Sequence, residues 1–485
     1  MRALFVSAWV LISCSSSSTP AAPDRLPPGV RAAVHQHHAD ASRSGLYVDA
    51  AMTRDAVRHL RQDTAFSAQH AGTVHAQPLY WDGGDGGQDL LLVFTEQNEV
   101  IALDPVSGAR IWSRTLAPPA TRLELPCGDI NPLGISGTPV IDPSRKLIFL
   151  DAMVSGALHR VYTLSVVDGS VVGTPVDLDG SVPGLTSRVQ NQRGALALLG
   201  GVLYVPYGAH QGDCGSFFGW VVGIDTTGAT APRSFRTGLG GGIWGVPGVA
   251  VADGALWVAT GNTYSVGPWI GGEGILRLTP GPAFSQTTRD YYTPSDWSFL
   301  DEQDLDLGSS GAVPFDAGGV RLVAALGKDG SLHLANRDDL GGMARFASGG
   351  VISTGPIITA PAIVPTADGA LLAWTGRSFC SGSSGPVVSV QRITAGPPLQ
   401  TSTAWCVPLF GRAAPIATTT DGTAEAIVWA VGAEGDGRVH AFDALTGQTL
   451  FDGGQVEMSR FNAPIVAKGR LYVAGNNGAY AFTVR

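Results

Sequence analysis

The feature that most constrains this chain is a sequence unit of about fifty residues that recurs along most of its length. Each unit opens with a small residue or Pro, then has an apolar run, and ends with a second apolar run that leads into a turn. AQPLYW, LLLVFT and EVIALDPVSGARIW are the three parts of the first unit. The units open at eight positions: Pro78, Pro139, Ala195, Pro247, Val313, Pro361, Pro415 and Pro464. A repeat of this kind predicts stacked copies of one small structural element.

The composition favours a small antiparallel sheet as that element. The 485 residues include 65 Gly and 31 Pro, and only 15% are charged, which is typical of short strands joined by tight turns. Four-stranded sheets stacked around an axis bury both of their faces. We therefore predict an all-β, eight-bladed β-propeller of four-stranded antiparallel blades. The last unit stops after its third strand, so we expect residues 63–70 to supply the missing outer strand and close the ring.

The N-terminus predicts export. Residues 1–14, MRALFVSAWVLISC, combine one Arg with an apolar stretch that is too short to span a bilayer. The LISC sequence resembles a bacterial lipobox, in which Cys14 becomes the lipid-modified first residue; an ordinary cleaved signal peptide is the alternative. We expect residues 15–34 to form a disordered Ser/Pro-rich tether and residues 35–485 to form a single propeller. The predicted location is the bacterial cell envelope, with the protein anchored to a membrane through the lipid.

The unit sequences resemble a known group of proteins. ALDPVSGARIW and AFDALTGQTLF are similar to the PQQ-type repeat of eight-bladed, quinoprotein dehydrogenase-like propellers, and the resemblance covers all eight units. HADASRSGLY, GISGTPVID, GGIWG and LGKDGSLHLANRDDLG are similar to exported bacterial PQQ-like proteins. That superfamily includes quinone-dependent alcohol dehydrogenases and also non-enzymatic lipoproteins that assist outer-membrane protein insertion. The resemblance therefore implies the fold and leaves two functions open.

The dehydrogenases of this group imply a set of site residues. In them a Ca²⁺ ion polarises the quinone PQQ, and an Asp takes the proton of the alcohol. By resemblance, Asn262 and Asp213 would bind the metal, and Trp244 and Lys328 would contact the cofactor. Asp296 would be the catalytic base. It belongs to an acidic loop with Asp301, Glu302, Asp304 and Asp306, for which either a solvated surface or a Ca²⁺ site is the expectation.

Three features of these dehydrogenases are missing from the sequence. There is no pair of adjacent cysteines, no metal-binding Glu followed by Gly-Val-Arg-Gly, and no CxxCH haem motif. The loop that aligns with the Glu motif reads GDCGSFFGW, where Asp213 is the only acidic residue. These differences favour a protein that keeps the fold without the enzyme activity.

The loops predict one functional face and two disulfides. Antiparallel blades place the loop before each first strand and the loop after each second strand on the same side of the disc, and the long irregular segments fall in those loops. Cys127 and Cys214 lie in two of these loops from neighbouring blades, whereas Cys380 and Cys406 belong to one blade. We therefore predict the pairs Cys127–Cys214 and Cys380–Cys406, as suits an exported protein. The absence of a CxxC pair disfavours zinc.

Two functions follow from these observations. The first is a binding or assembly module whose loop-rich face contacts a protein, peptide or carbohydrate, since Tyr264, Trp269, Tyr291, Tyr292 and Trp297 bring aromatic surface to that face. The second is a PQQ- and Ca²⁺-dependent dehydrogenase of alcohols or sugars. Nucleic acid is disfavoured as a partner, because the net charge is −9 and no Lys/Arg cluster is present. His35, His37 and His38, together with Asp40, have the chemistry of transition-metal ligands, with an incidental His-rich tail as the alternative.

Overall fold

The structure is a computed structural model that describes residues 33–84, 87–265, 267–344, 349–380 and 383–484. Eight sheets, each formed mainly by consecutive strands, follow one another along the chain. The predicted all-β, eight-bladed propeller is thereby confirmed. The predicted signal peptide, Cys14 and the tether up to residue 32 lie outside the described residues.

The first four blades contain the following strands, ordered from the axis outward. Blade 1 contains Leu79–Asp82, Asp89–Phe94, Glu99–Leu103 and Arg110–Thr115. Blade 2 contains Val140–Asp142, Leu147–Val154, Leu158–Ser165 and Val176–Asp177. Blade 3 contains Ala197–Leu199, Val202–Ala209, Phe218–Asp225 and Arg233–Leu239, with Gln190–Asn191 added beside the second strand. Blade 4 contains Ala250–Ala252, Ala255–Thr260, Gly274–Leu278 and Tyr291–Pro294, with Gly342–Ala344 parallel to the last.

The other four blades follow the same plan. Blade 5 contains Val313–Ala317, Val320–Leu326, Ser331–Asn336 and Gly349–Val351. Blade 6 contains Ala362–Thr366, Gly369–Cys380, Ser383–Thr394 and Gln400–Pro408. Blade 7 contains Ile416–Thr419, Ile427–Val431, Val439–Asp443 and Thr449–Gly453. Blade 8 contains Ile465–Ala467, Arg470–Gly475 and Gly478–Thr483, and its outer edge is formed by Arg61–Gln62 and Ala68–Gln69.

The edge strands of blade 8 confirm the predicted closure of the ring. Arg61 pairs with Thr483, and Ala68 pairs with Ala479, both in antiparallel register. The segment lies ahead of blade 1 in the sequence, so its pairing with the last blade joins the two ends of the propeller. A closed ring leaves no end blade with an uncovered face.

Trp side chains of the outer strands connect neighbouring blades. The Trp112 indole in blade 1 donates a hydrogen bond to the Val166 carbonyl of blade 2 at 3.1 Å, and the Trp405 indole in blade 6 donates to the Ala444 carbonyl of blade 7 at 2.8 Å. Each Trp packs on a turn glycine of the next blade. At Gly447, where φ is +73°, an added Cβ would lie 2.8 Å from the Trp405 ring. Glycine is therefore required there both for the positive φ and for the close approach of the indole.

Residues 34–49, called the axial segment below, fill the propeller axis. Val34 pairs with Tyr80 of blade 1, and Leu46–Val48 adds a parallel strand to the inner edge of blade 7. Arg43 is fully buried and donates hydrogen bonds to the carbonyls of Leu196 and Val249 at 2.8 and 2.7 Å, next to blades 3 and 4. The segment thus contacts inner strands on several sides of the ring.

In the described part of the chain, helices occur only in connections. The α-helices are Arg54–Arg58 and Trp297–Gln303, and the short 3-10 helices are Ser187–Val189, Thr288–Asp290 and Leu307–Ser310. Thr53 caps the first α-helix by accepting a hydrogen bond from the Ala56 backbone N–H. None of the helices among the described residues has the length and apolar character needed to cross a membrane.

Both predicted disulfides are present. Cys127 pairs with Cys214 and Cys380 pairs with Cys406, with Cα–Cα distances of 6.0 and 5.9 Å. The first bridge ties a loop ahead of blade 2 to a loop of blade 3. It therefore fixes two of the long segments that surround the axis.

Candidate functional site

A cavity of about 510 Å³ opens at the centre of the loop-bearing side of the disc, called the loop face below. Blades 2 to 6 and blade 8 contribute to it through the loops before their first strands or after their second strands. The residues that line it are Asp129, Arg193, Ala209, His210, Gln211, Gly212, Asp213, Phe217, Gly242, Trp244, Asn262, Asp304, Asp306, Lys328, Ile358, Arg460 and Phe461. Its size lies within the range of small-molecule sites.

The core of the cavity is an ion-pair cluster around Lys328. The ammonium group lies 2.8 Å from Asp304 Oδ1 and 2.5 Å from Asp306 Oδ2. Asp306 also accepts a hydrogen bond from the Asn262 backbone N–H at 2.7 Å. The Lys328 ammonium lies 5.4 Å from the centre of the Trp244 ring, in reach of a cation–π contact. One lysine therefore connects both carboxylates and the aromatic surface.

Local structure explains how these side chains meet. The helix Trp297–Gln303 ends at Asp304, which adopts the left-handed conformation with φ of 54°. The chain then turns through Asp306 into the 3-10 helix Leu307–Ser310. Gly261 is needed beside this turn, because a Cβ there would lie 2.2 Å from Asp306 Oδ1 and 3.3 Å from Trp244 Nε1.

The cluster carries more negative than positive charge. Burial and the nearby carboxylates of Asp306 and Asp304 raise the pKa of Asp213 to about 6. Burial, the main cause, raises the pKa of Asp301 to about 6, with Asp306 adding to the rise. Glu273 is fully buried, and burial together with Asp306 raises its pKa well above the usual range. Of these three residues Asp213 lines the cavity, and a carboxyl group with a perturbed pKa at a cavity is a feature of functional sites.

Arg193 is the cation of the cavity that has no carboxylate partner. Its side chain is almost buried, with 8% of the residue exposed. Among the described residues its guanidinium makes no hydrogen bond or ion pair, and its Nε is fully buried. The Phe461 and Trp244 rings lie 4.7 and 5.8 Å from the guanidinium carbon. Arg460, by contrast, is paired with Glu434 at 2.8 Å.

The structure brings four of the five predicted site residues together. Trp244, Asn262, Lys328 and Asp213 all line the cavity. Asp296 does not line it, because this residue occupies the N-cap position of the helix Trp297–Gln303 and its side chain is exposed. The predicted acidic loop does reach the cavity, but through Asp304 and Asp306 at the opposite end of that helix.

Arg193, Asp129 and Phe461 are cavity residues that were not anticipated. Each lies in a loop just before a first strand, and such loops surround the axis in a propeller. Their position in the repeat is the signal that could have identified them.

Two further clefts adjoin the cavity on the loop face. One, of about 420 Å³, has walls of Pro356, Ile358, Pro386 and Phe410, and Ile358 also lines the central cavity. The other, of about 280 Å³, is polar and shares Asp129, Arg460 and Phe461 with the cavity. Phe410 is 65% exposed, so the apolar cleft offers an aromatic ring to solvent.

The histidines near the N-terminus lie in the propeller interior rather than in a tail. His37 and His38 are both fully buried in the axial segment, and their rings stack with centroids 4.3 Å apart. The alternative of an incidental flexible tail is therefore wrong for these two residues. Within the described residues, no group of three or more His, Cys, Asp or Glu side chains is arranged to hold a metal ion.

Comparison with known proteins supports the fold. No protein-family model and no curated protein matches the chain. Among solved structures, the chain is similar to quinohemoprotein alcohol dehydrogenase from Comamonas testosteroni, with a TM-score of 0.63 and 14% identity over 93% of this chain and 80% of that one. Quinohemoprotein alcohol dehydrogenase ADHIIG from Pseudomonas putida HK5 gives a TM-score of 0.64 and 15% identity, with the same coverage. A europium-containing methanol dehydrogenase gives 0.65 and 13%, over 92% of this chain and 90% of that chain.

Proposed function

We propose that the protein is a binding module of the bacterial cell envelope that holds a small molecule at the centre of its loop face. The observation that carries this proposal is the cavity of about 510 Å³, which combines an aromatic ring, an unpaired guanidinium and the Asp213 carboxyl group, whose pKa is raised. Sites for small molecules are concave, largely preformed and equipped with a few polar groups of this kind. The apolar cleft beside Ile358 extends the same surface, which suits a larger ligand or the side chain of a partner protein.

The envelope location depends on Cys14, which the sequence predicts to carry lipid. We expect mass spectrometry of the protein from a bacterial membrane fraction to find an acylated Cys14 as the first residue. A Cys14→Ser variant should move to the soluble fraction. A mature N-terminus that carries no lipid and lies further along the chain would refute the lipoprotein assignment and support an ordinary cleaved signal peptide.

PQQ is a ligand whose chemistry the cavity fits. PQQ is a flat tricyclic quinone with three carboxylates, so it needs a stacking surface, cations and a cavity of this order of size. Trp244 supplies the ring, and Arg193 and Lys328 supply positive charge. Asp304 and Asp306 provide two carboxylates beside the single ammonium group of Lys328, and Asp213 lines the same cavity. A metal cation beside Asn262 and Asp306 would find oxygen ligands of the kind that Ca²⁺ prefers, and Asp213 would then remain available for proton transfer.

A quinone-dependent dehydrogenase of alcohols or sugars is the second candidate, and the placement of Asp213 favours it. Bound PQQ would accept the hydride of an alcohol, and the protein would need to accept the hydroxyl proton. Asp213 lines the cavity and has a pKa of about 6, so it is largely ionised at neutral pH and is basic enough to take a proton. Asp304 shares the cavity but is held by Lys328. The similarity to solved alcohol and methanol dehydrogenases supports the same candidate at the level of the fold.

One series of measurements separates the two candidates. PQQ with Ca²⁺ is added to the purified protein, and the melting temperature and the reduction of a dye with a panel of alcohols and sugars are followed. A raised melting temperature supports binding, because a ligand of the folded state stabilises it by mass action. Dye reduction that disappears in Asp213→Asn and persists in the exposed control Asp296→Asn supports the dehydrogenase. A shift without turnover leaves the binding module, and no shift removes PQQ as the ligand.

A further inference from the structure

Arg193 is exceptional when the eight repeats are compared at one position. It lies two residues before the opening of the third unit, and the residues at that position in the other seven are uncharged: Ala76, Gly137, Gly245, Gly311, Thr359, Ala413 and Asn462. The repeat architecture therefore does not require a cation there. The position lies next to the axis, so a long side chain reaches the central cavity.

The environment of Arg193 leaves its guanidinium without a directly bonded partner among the described residues. The side chain is almost completely buried, and no carboxylate, carbonyl or hydroxyl among the described residues accepts a hydrogen bond from it. A buried cation without a partner is strongly disfavoured. Burial accordingly lowers the pKa of Arg193. The aromatic contacts with Phe461 and Trp244 offset part of the cost, but they leave the buried Nε–H without an acceptor among the described residues.

The other cations of the cavity are not equivalent. Lys328 is already held between Asp304 and Asp306, and Arg460 is held by Glu434. Among the cavity residues, Asp129 has the largest favourable Coulombic effect on the pKa of Arg193, yet it forms no ion pair with it. Arg193 is therefore the cation of the cavity that is available to pair with a bound ligand.

We propose that Arg193 anchors a carboxylate of the molecule that the cavity binds, so that the ligands of this protein are planar or cyclic carboxylates. The planar fork of a guanidinium matches the two oxygens of a carboxylate. The rings of Phe461 and Trp244 beside it favour a ligand with a flat body. The proposal rests on the proposed function in one respect, which is that the cavity binds a small molecule. The carboxylate has two sources: the cofactor PQQ or a separate carboxylated substrate.

The test is isothermal titration of the purified protein with benzene-1,3-dicarboxylate, with neutral benzamide and with PQQ. Wild type should bind the dicarboxylate, and Arg193→Gln should weaken its affinity about tenfold to a hundredfold, as expected for a lost charged hydrogen bond. Arg412→Gln is the matched control, because Arg412 is exposed and lines the adjoining apolar cleft instead. Benzamide should bind weakly to all three proteins. Arg193→Lys keeps the charge without the fork and should weaken the affinity less than Gln does, which provides a second variant if Arg193→Gln fails to fold.

Several results overturn the anchor. These are equal dicarboxylate affinity in wild type and Arg193→Gln, equal affinity of wild type for benzamide and the dicarboxylate, or no binding of the dicarboxylate at all. Competition between PQQ and the dicarboxylate supports the anchor and assigns it to the cofactor, and simultaneous binding supports it and assigns it to a substrate. If the dicarboxylate binds in an Arg193-dependent way and PQQ does not bind, only the assignment of PQQ as a ligand is refuted. If PQQ and the dicarboxylate compete, PQQ binding that is unaffected in Arg193→Gln refutes the anchor alone.

Discussion

The buried histidine pair of the axial segment makes the stability of the propeller depend on pH. Burial is the main cause that lowers the pKa of His38 from 6.5 to about 4. Burial, with Coulombic repulsion from His38 and Arg43, also lowers the pKa of His37 well below its usual value. A histidine whose pKa is lowered in the folded state is protonated first in the unfolded state. The free energy of unfolding therefore falls as the pH drops from 6.5 towards 4.

The expected magnitude follows from the pKa of His38. A difference of one pKa unit corresponds to about 1.4 kcal/mol, so His38 alone removes about 3 kcal/mol of stability between pH 7 and pH 4. Replacing it by Gln in His38→Gln removes this titration. The carboxylates with raised pKa values, such as Asp213 and Asp301, act in the opposite direction, because the folded state binds their protons first as the pH falls. They are common to both proteins and cancel in the difference.

The assay is urea unfolding of wild type and His38→Gln, followed by tryptophan fluorescence at several pH values between 7.5 and 4.5. His59→Gln is the control, since His59 is exposed. The variant loses packing and is less stable at pH 7, but its stability should fall less steeply below pH 6.5 than that of wild type. Parallel pH profiles for wild type and His38→Gln would refute the assignment of a neutral, buried imidazole.

Three further predictions concern the blades, the cavity and the disulfides. Gly447→Ala should destabilise the protein by about 1–3 kcal/mol more than Gly228→Ala, because both glycines have φ of +73° but only Gly447 packs on Trp405. Chemical denaturation measures the difference in the free energy of unfolding. Equal losses in the two variants would contradict the contact between Trp405 and Gly447. Lys328→Met should raise the pKa of Asp213 further above 6, since the ammonium lowers it, and carboxyl NMR titration would show an unchanged pKa if the two did not interact. Replacing Cys127 and Cys214 by Ala should lower the free energy of unfolding by about 4–5 kcal/mol, and replacing Cys380 and Cys406 should lower it by about 3–4 kcal/mol, because the sequence separations are 87 and 26 residues. Denaturation midpoints measure both losses. A larger loss for the Cys380–Cys406 pair would contradict loop-closure entropy as the cause.

The repeat made most of the fold predictable. The spacing of the units set the number of blades, and the missing strand after Thr483 indicated that residues 63–70 close the ring. The disulfides were predictable for the same reason, because the position of a cysteine within a unit indicates its loop and its blade. Each of these inferences uses the unit itself and needs no side-chain detail.

The cavity was predictable only in part. Trp244, Asn262 and Lys328 lie in loops whose sequences resemble known ones, and the structure places them together. Asp296 could not be distinguished from Asp304 by sequence. The two residues flank the helix Trp297–Gln303 at opposite ends, and the orientation of that helix decides which carboxylate reaches the axis.

The axial segment was not predicted to fill the axis. Residues 34–49 carry no apolar periodicity, and their positions depend mainly on backbone hydrogen bonds to inner strands of several blades, such as those from Val251 to the Ala41 carbonyl and from Ile363 to the Ser44 carbonyl. Such contacts join distant parts of the sequence and leave no local pattern. For the same reason, no sequence pattern indicated that His37 and His38 are buried.

A crystal structure of the protein grown with PQQ and Ca²⁺ tests the central claim most directly. We expect the quinone in the loop-face cavity, stacked against Trp244 and with a carboxylate on Arg193. A structure in which PQQ is absent or bound elsewhere, with Lys328 still paired to Asp304 and Asp306, would contradict the assignment of this cavity as a PQQ site.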